Sequence, residues 1–157
     1  ENVDIHFQLG AIYDKLGDLE KMVAHMKEVL RLSPDHADAL NYLGYSYADR
    51  DIHLEEALEL IQKAMALKPN MGYITDSLGW VYYKLGDYER AVLELEKANQ
   101  LTPDDSTITE HLADGYLKLS RVEKAIEFYE KALRLDPKPD QKERLQKKIK
   151  ELKEKRK

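Results

Sequence analysis

Four prolines recur along the chain at an almost constant interval, at Pro34, Pro69, Pro103 and Pro137. The gaps between them are 35, 34 and 34 residues. A fixed period of this size predicts an array of stacked repeats rather than one globular core, because each repeat adds the same supersecondary element. In such an array, function is sought on an extended surface rather than in one catalytic pocket.

The same residue types return around each proline. Each repeat has a Leu followed by a small residue, and a Tyr four positions after that Leu. The small residues are Gly10, Gly44, Gly79 and Ala113. Two helices approach closely only where neither side chain is bulky, so a second helix is expected to face these positions with a small or flexible residue. The expected facing residues are Met22, Ala57, Ala91 and Ala125.

This pattern resembles the tetratricopeptide repeat (TPR), a helical hairpin whose signature combines Leu-Gly, Tyr, Ala and Pro over about 34 residues. The resemblance implies an all-α fold, a right-handed helical-hairpin solenoid of four TPR units plus a C-terminal capping helix. The array is expected at residues 1–138, and the basic capping helix at 139–157. The expected repeats are about 3–36, 37–71, 72–105 and 106–138. Segments such as Leu43-Gly44-Tyr45-Ser46-Tyr47 also resemble bacterial repeat proteins, some of them envelope lipoproteins.

The second repeat is one residue longer than the others, and we expect the extra residue in the turn at residues 49–53. Glu1 is not a methionine, so we expect the sequence to be an excised or processed part of a longer protein. The compartment is left open between the cytoplasm and the bacterial periplasm or envelope. The chain has no cysteine, which excludes disulfides and thiol catalysis, and no apolar run long enough for a transmembrane helix.

The charge is unevenly distributed. Residues 138–157 contain ten basic and four acidic residues, a net charge of +6, so the remaining residues carry −11 of the total of −5. The acidic repeat body argues against nucleic-acid binding through the repeats. The tail is expected to cap the array through Leu145, Ile149 and Leu152, which form a narrow apolar stripe. Contact with an acidic membrane or with nucleic acid is an alternative, as is attraction between the tail and the acidic groove, which would give autoinhibition or oligomers.

The TPR resemblance implies that ligand-facing side chains come from the exposed side of each first helix. Trp80 is the only tryptophan, and we expect it beside Tyr45 of the preceding repeat. Tryptophan and tyrosine are frequent in binding hot spots, although local packing is the alternative role here. The predicted peptide-binding groove consists of Tyr42, Tyr45, Asp49, Tyr73, Asp76, Trp80, Tyr83, Glu110 and Asp114. An aromatic and acidic groove suits a protein or peptide with basic and apolar residues.

Some TPR domains hold a C-terminal carboxylate with basic residues of the groove. The matching positions here are Phe7, Ala11, Tyr42, Tyr73 and Ser77. They offer no cation, so an anionic C-terminal tail is not the expected ligand. The five histidines are scattered along the sequence, and the paired acids at helix starts are explained by capping. We therefore predict no enzyme activity, no metal and no cofactor.

The sequence thus predicts a protein–protein interaction scaffold that binds a peptide or helix of a partner in its concave groove. Two alternatives remain. One is a structural self-assembly module that forms homo-oligomers through its end faces or its tail helix. The other is the regulatory part of a longer enzyme.

Overall fold

The structure is a computed structural model that describes residues 2–157, so Glu1, where the predicted array begins, lies outside the described residues. The described residues form nine α-helices and no strand. The helices are α1 (Asn2–Lys15), α2 (Leu19–Leu32), α3 (Ala37–Asp49), α4 (Leu54–Leu67), α5 (Gly72–Lys84), α6 (Tyr88–Leu101), α7 (Ser106–Lys118), α8 (Val122–Arg134) and α9 (Pro139–Arg156). Each of the four periodic prolines lies in a turn that follows a second helix.

The chain divides into two compact units, Glu1–Pro69 and Asn70–Lys157. In the first compact unit, α1 packs on α2 and α3 packs on α4. In the second compact unit, α5 packs on α6 and α7 on α8, α6 also packs on α7, and α9 packs on α8. The boundary between the units lies close to the predicted boundary between the second and third repeats.

All four first helices end in the same turn. In α5, for example, the N–H of Gly86 donates to the carbonyl of Tyr83 at 3.0 Å, and the N–H of Asp87 donates to that of Tyr82 at 2.9 Å. This Schellman-type pattern needs a left-handed residue after the helix. Glycine fills that position in two hairpins, at Gly17 and Gly86, with φ of 79° and 85°. Asp51 and Ser120 take it in the others, with φ of 56° and 60°.

The second hairpin has the predicted longer turn. Four residues separate α3 from α4, whereas three residues separate the helices in the other hairpins. The additional residue brings a second left-handed position, His53, with φ of 47°. The His53 ring lies edge-on to Tyr47 at a centroid distance of 5.0 Å, so this loop is held against α3.

The glycines allow close helix packing, but the predicted facing residues need correction. A Cβ added to Gly44 would lie 2.6 Å from Ile61, and one added to Gly79 would lie 2.7 Å from Leu95. At Gly10 the contact is with Met26 at 2.8 Å, not with the predicted Met22. The side chain that fills each gap therefore comes one helical turn after the predicted position. The predicted facing residues Ala57 and Ala91 approach through their backbone carbonyls, which lie 3.1 Å from the Cβ added to Gly44 and 3.2 Å from that added to Gly79.

Among the described residues, the helices do not combine the length and apolar character needed to cross a membrane.

Candidate interaction surface

The nine predicted groove residues are divided between the two compact units. Tyr42, Tyr45 and Asp49 lie on α3 of the first unit. The other six lie on α5 and α7 of the second unit, at Tyr73, Asp76, Trp80, Tyr83, Glu110 and Asp114. The predicted proximity of Trp80 to Tyr45 would join the two units and stays a prediction.

In the first compact unit, Tyr42 is held by a neighbouring helix. Its hydroxyl donates to Oδ2 of Asp14 at 2.9 Å, while Nη2 of Arg50 donates to Oδ1 of Asp14 at 2.8 Å. Burial and the Asp14 carboxylate raise the pKa of Tyr42 to about 12. Phe7 lies edge-on to Tyr42 at a centroid distance of 5.9 Å. Tyr42 is therefore a neutral, oriented side chain that is only half-buried.

In the second compact unit, polar side chains near the starts of α7 and α5 form hydrogen bonds within their own helices. Asp105 caps α7 by accepting from the N–H of Ile108 at 2.9 Å. Within α5, Thr75 and Ser77 donate their hydroxyls to the carbonyls of Met71 and Tyr73, so these small polar residues are satisfied within the helix. The buried face of α5 can therefore accept polar residues beside Trp80.

Trp80 is packed rather than open. Its side chain is 8% exposed and lies nearly parallel to His111 at a centroid distance of 3.9 Å and to Tyr83 at 4.6 Å. The prediction gave Trp80 a binding role in preference to local packing, and these contacts favour packing. Tyr73 offers more surface, with 39% exposure, and Tyr83 is half-buried. Burial and the charge of Asp114 raise the pKa of Tyr83 to about 12, so it remains neutral.

Asp76 and His111 form a buried pair. Nδ1 of His111 lies 2.8 Å from Oδ1 of Asp76, and both side chains are buried. Burial alone would lower the pKa of His111, but the charge of Asp76 and its hydrogen bond outweigh burial and raise it above the ordinary value of 6.5. Asp114 and Glu110 act in the same direction. Asp76 is thus committed to an internal partner.

Glu110 and Asp114 are committed to α9. Glu110 is 3% exposed and accepts two hydrogen bonds from Arg144 at 2.7 Å and one from Lys148 at 2.8 Å. Lys148 also donates to Asp114 at 3.0 Å, and the hydroxyl of Tyr129 donates to the same carboxylate. The sequence interpretation had these two acids lining an open groove. In the structure they are covered and paired instead.

The same contacts set the electrostatics of Glu110. Burial acts to raise the pKa of Glu110, but hydrogen bonds from Arg144 and Lys148, together with their charges, outweigh burial and lower it to about 2. In this cluster three acids (Asp76, Glu110, Asp114) face three basic side chains (His111, Arg144, Lys148). The formal charges of these six side chains therefore cancel when His111 is protonated.

The sequence interpretation considered attraction between the tail and the acidic groove, but it did not name the partners of the groove acids, which are His111, Tyr129, Gln141, Arg144 and Lys148. A signal for two of them was present, because Arg144 follows Glu110 by 34 residues and Lys148 follows Asp114 by 34 residues. One repeat period therefore predicts which residues of α9 lie beside which residues of α7. Among the described residues, no group of three or more His, Asp or Glu side chains is placed to hold a metal ion.

Comparison with known proteins identifies the repeat. Two family models described as tetratricopeptide repeat match residues 3–36 and 77–138, which together are more than half of the chain. The chain belongs to the TPR family. TPR proteins bind other proteins and are typically non-catalytic scaffolds, which is the general role predicted for this chain.

A TPR repeat-containing protein of Pseudomonas aeruginosa is 41% identical over 93 residues, which cover 57% of this chain and 16% of that protein. The chain therefore spans less than a fifth of the length of this relative. The solved structure of a thermophilic TPR protein of Thermus thermophilus has a TM-score of 0.79 at 26% identity, and covers 92% of this chain and 80% of its own. The pilF structure of Pseudomonas aeruginosa has a TM-score of 0.76 at 28% identity, and covers 96% of this chain and 70% of its own.

These comparisons confirm the predicted fold class, an all-helical TPR solenoid. The three relatives are bacterial, in agreement with the predicted resemblance to bacterial repeat proteins.

Proposed function

We propose that the chain is a protein-interaction module that binds a partner segment combining basic and apolar residues, along the first helices of its hairpins. In the first compact unit the contact residues are Tyr42, Tyr45 and Asp49 of α3. In the second they are Tyr73, Asp76, Trp80, Tyr83, Glu110 and Asp114 of α5 and α7. The roles within this set differ. Asp76 and Trp80 are buried against His111, and Glu110 and Asp114 are paired with α9, so Tyr73 and Tyr83 are the residues of the second unit with surface to offer.

The observation that carries this proposal is the contact between α7 and α9. Acids of the predicted groove already hold a segment of the expected chemistry, since Arg144 and Lys148 pair with them while Leu145 and Ile149 are buried beside them. The charge of the Asp114 carboxylate reaches Tyr83, so the same kind of segment from another protein would meet complementary charge beside that ring. Aromatic rings next to carboxylates can also take cations through cation–π contacts.

The test uses a panel of fluorescein-labelled peptides that combine Lys or Arg with Leu, Ile or Phe, with fluorescence anisotropy as the readout. Asp76 is unsuitable for substitution, because its change would remove the buried partner of His111. Tyr73→Ala removes an exposed ring and is expected to weaken binding about tenfold, as at a hot spot. Leu93→Ala, at an exposed apolar residue of α6, is the matched control and should leave binding unchanged. If no panel peptide binds, or both variants behave alike, the proposal is wrong.

Self-assembly is the second candidate, and one observation favours it. Ile5 and Ile12 of α1 and Leu16, which directly follows α1, are 51%, 51% and 72% exposed, and with half-buried Leu9 they form one stripe spaced by four, three and four residues. Light scattering of the chain over a range of concentrations tests this candidate. Ile12→Lys with Leu16→Lys should abolish any dimer, whereas Leu93→Lys should not. A wild-type chain that stays monomeric at high concentration rules the candidate out.

A further inference from the structure

The helix α9 is held to α7 by charges in matching register. Arg144 and Lys148 are four residues apart, as are Glu110 and Asp114, so each pair lies on one helix face. Arg144 binds Glu110 through two nitrogens, and Lys148 bridges Glu110 and Asp114. Gln141 adds a hydrogen bond from Nε2 to Glu110 at 3.1 Å and accepts one from Ser106 at 3.1 Å. The acids therefore recognise a spacing of cations as well as their charge.

An apolar site for Leu145 and Ile149, which we call the apolar seat, lies beside these charges and includes Leu112 and Tyr129. Leu145 is 0% exposed and Ile149 is 8% exposed, and both belong to the core of the second unit together with Leu112 and Tyr129. Leu145 directly follows Arg144, and Ile149 directly follows Lys148. The chemistry that fits this place is a helix in which an Arg–Leu step and a Lys–Ile step are four residues apart.

The C-terminal half of α9 is less closely seated. A cleft of about 650 Å³ lies between this part of the helix and the α7–α8 turn, lined among others by Leu117, Val122, Leu152 and Lys155. Beyond Ile149, Leu152 is only partly buried against the core, and the ion pairs of α9 are exposed, such as Arg156 with Glu123 at 2.7 Å and Lys153 with Glu130 at 3.7 Å. Exposed pairs contribute little to stability, so release of α9 can begin at this end.

The connection to α8 is short and constrained. Four residues, 135–138, join the two helices, and they include Pro137 and Asp136, whose φ of 55° is left-handed. A non-glycine residue in this region carries backbone strain. The tether keeps α9 near its seat, with an effective concentration on the order of millimolar. A free helix of the same chemistry would therefore compete poorly unless the charged contacts of α9 were weakened.

We infer that Glu110, Asp114 and the apolar seat beside them form a receptor site for a basic amphipathic helix, and that α9 is its resident, exchangeable ligand. This inference deepens the proposed function and rests on it, because it names the partner chemistry for part of the same surface. A partner helix gains access by replacing α9, so the chain regulates its own binding site. The apparent affinity for such a partner is reduced by the fraction of molecules in which α9 is bound.

The test uses the full chain and one probe, a fluorescein-labelled peptide with the sequence of residues 139–156. The variant Arg144→Ala/Lys148→Ala weakens the resident helix and leaves the receptor acids in place. It is expected to bind the peptide at least tenfold more tightly than the wild-type chain. The matched control is Lys142→Ala/Lys150→Ala, which removes the same charge from exposed positions of α9 and should behave like the wild type.

A second arm compares altered peptides on one protein, the Arg144→Ala/Lys148→Ala chain, in which the charged contacts of α9 no longer keep the peptide out. A peptide with Arg144→Glu and Lys148→Glu should not bind, whereas one with Lys142→Glu and Lys150→Glu should bind like the parent peptide. The inference is overturned if the double-alanine chain shows no binding, if all three chains bind equally, or if both altered peptides behave alike. When the Tyr73-dependent panel peptides bind and this probe does not, the inference fails and the proposed function stands. When neither binds, both fail.

Discussion

Arg144 and Glu110 form a two-point ion pair, in which Nε and Nη2 of the guanidinium each lie 2.7 Å from a different oxygen of the carboxylate. Two parallel hydrogen bonds fix orientation as well as distance. The Glu110 side chain is buried whereas that of Arg144 is half exposed, so loss of Arg144 would leave the buried carboxylate with Lys148 and Gln141 as its remaining partners on α9. The pair joins the last helix of the chain to a helix of the predicted groove.

Glu110 should make the stability of the chain depend on acid pH. Its pKa of about 2 in the folded state lies below the ordinary value of 4.5, so its contribution is present above that value and is lost as the pH falls toward 2. We expect Glu110→Gln to reduce this loss by on the order of 2 kcal/mol, measured as the free energy of unfolding in urea between about pH 5 and 2. Glu143→Gln, which alters an exposed carboxylate of α9, is the control and should leave the profile unchanged. Identical profiles for wild type and Glu110→Gln would contradict the assignment.

His111 should act in the opposite direction. Its pKa is raised in the folded state, so the stability it contributes is complete below 6.5 and is lost as the pH rises through the folded-state pKa. Titration of the His111 ring followed by NMR should give a midpoint above 6.5. In Asp76→Asn the midpoint should fall, because the main cause of the increase is removed. A wild-type midpoint below 6.5 would show that burial outweighs the Asp76 carboxylate.

Two glycines should differ in their response to alanine. At Gly79 the added methyl group meets Cγ of Leu95 at 2.7 Å and a backbone carbonyl at 3.2 Å, so Gly79→Ala should destabilise by about 1–3 kcal/mol. At Gly10 it meets Cε of Met26, the mobile end of a flexible side chain. The helix-propensity gain of about 1 kcal/mol should then leave Gly10→Ala close to the wild type. Urea unfolding followed by circular dichroism measures both, and a larger loss at Gly10 would refute the packing argument.

The left-handed turn residues offer a matched pair of changes. Ser120 and Gly86 occupy the same position of the same turn, with φ of 60° and 85°. Ser120→Gly should relieve backbone strain and stabilise by about 0.5–1 kcal/mol. Gly86→Ala should cost about 1 kcal/mol for backbone reasons alone, since no atom lies within 4 Å of the added Cβ. Thermal unfolding checks both, and changes of the same sign would count against this explanation.

Much of the fold could be predicted because it depends on local and periodic features. The proline interval, the Leu-Gly steps and the longer turn near His53 each report on one hairpin and need no knowledge of distant contacts. The predicted facing residue of Gly10 was wrong because side chains in a helix point toward its N-terminus, which shifts the contact by one turn, from Met22 to Met26.

The candidate site was harder to predict, because its exposure depends on neighbouring helices. Trp80 looks available on the face of α5, yet His111 from α7 covers it. Glu110 and Asp114 look solvated until α9 is placed beside them. The 34-residue offset would have revealed those pairs, whereas the stacking of Trp80 on His111 depends on rotamers that the sequence pattern does not specify.

The same offset has a consequence for protein engineering. Asp76 and Glu110 occupy equivalent positions of successive hairpins, as do Trp80 and Asp114. If a copy of the third hairpin replaced the fourth, Trp80 would take the place of Asp114, which pairs with Lys148. Ser77 would take the place of His111, which pairs with Asp76. The helical hairpin backbone would be the same after such a replacement, but these side-chain pairs would be lost. The hairpins of this chain are therefore not interchangeable, because each one carries side chains that match those of its neighbours in the sequence order.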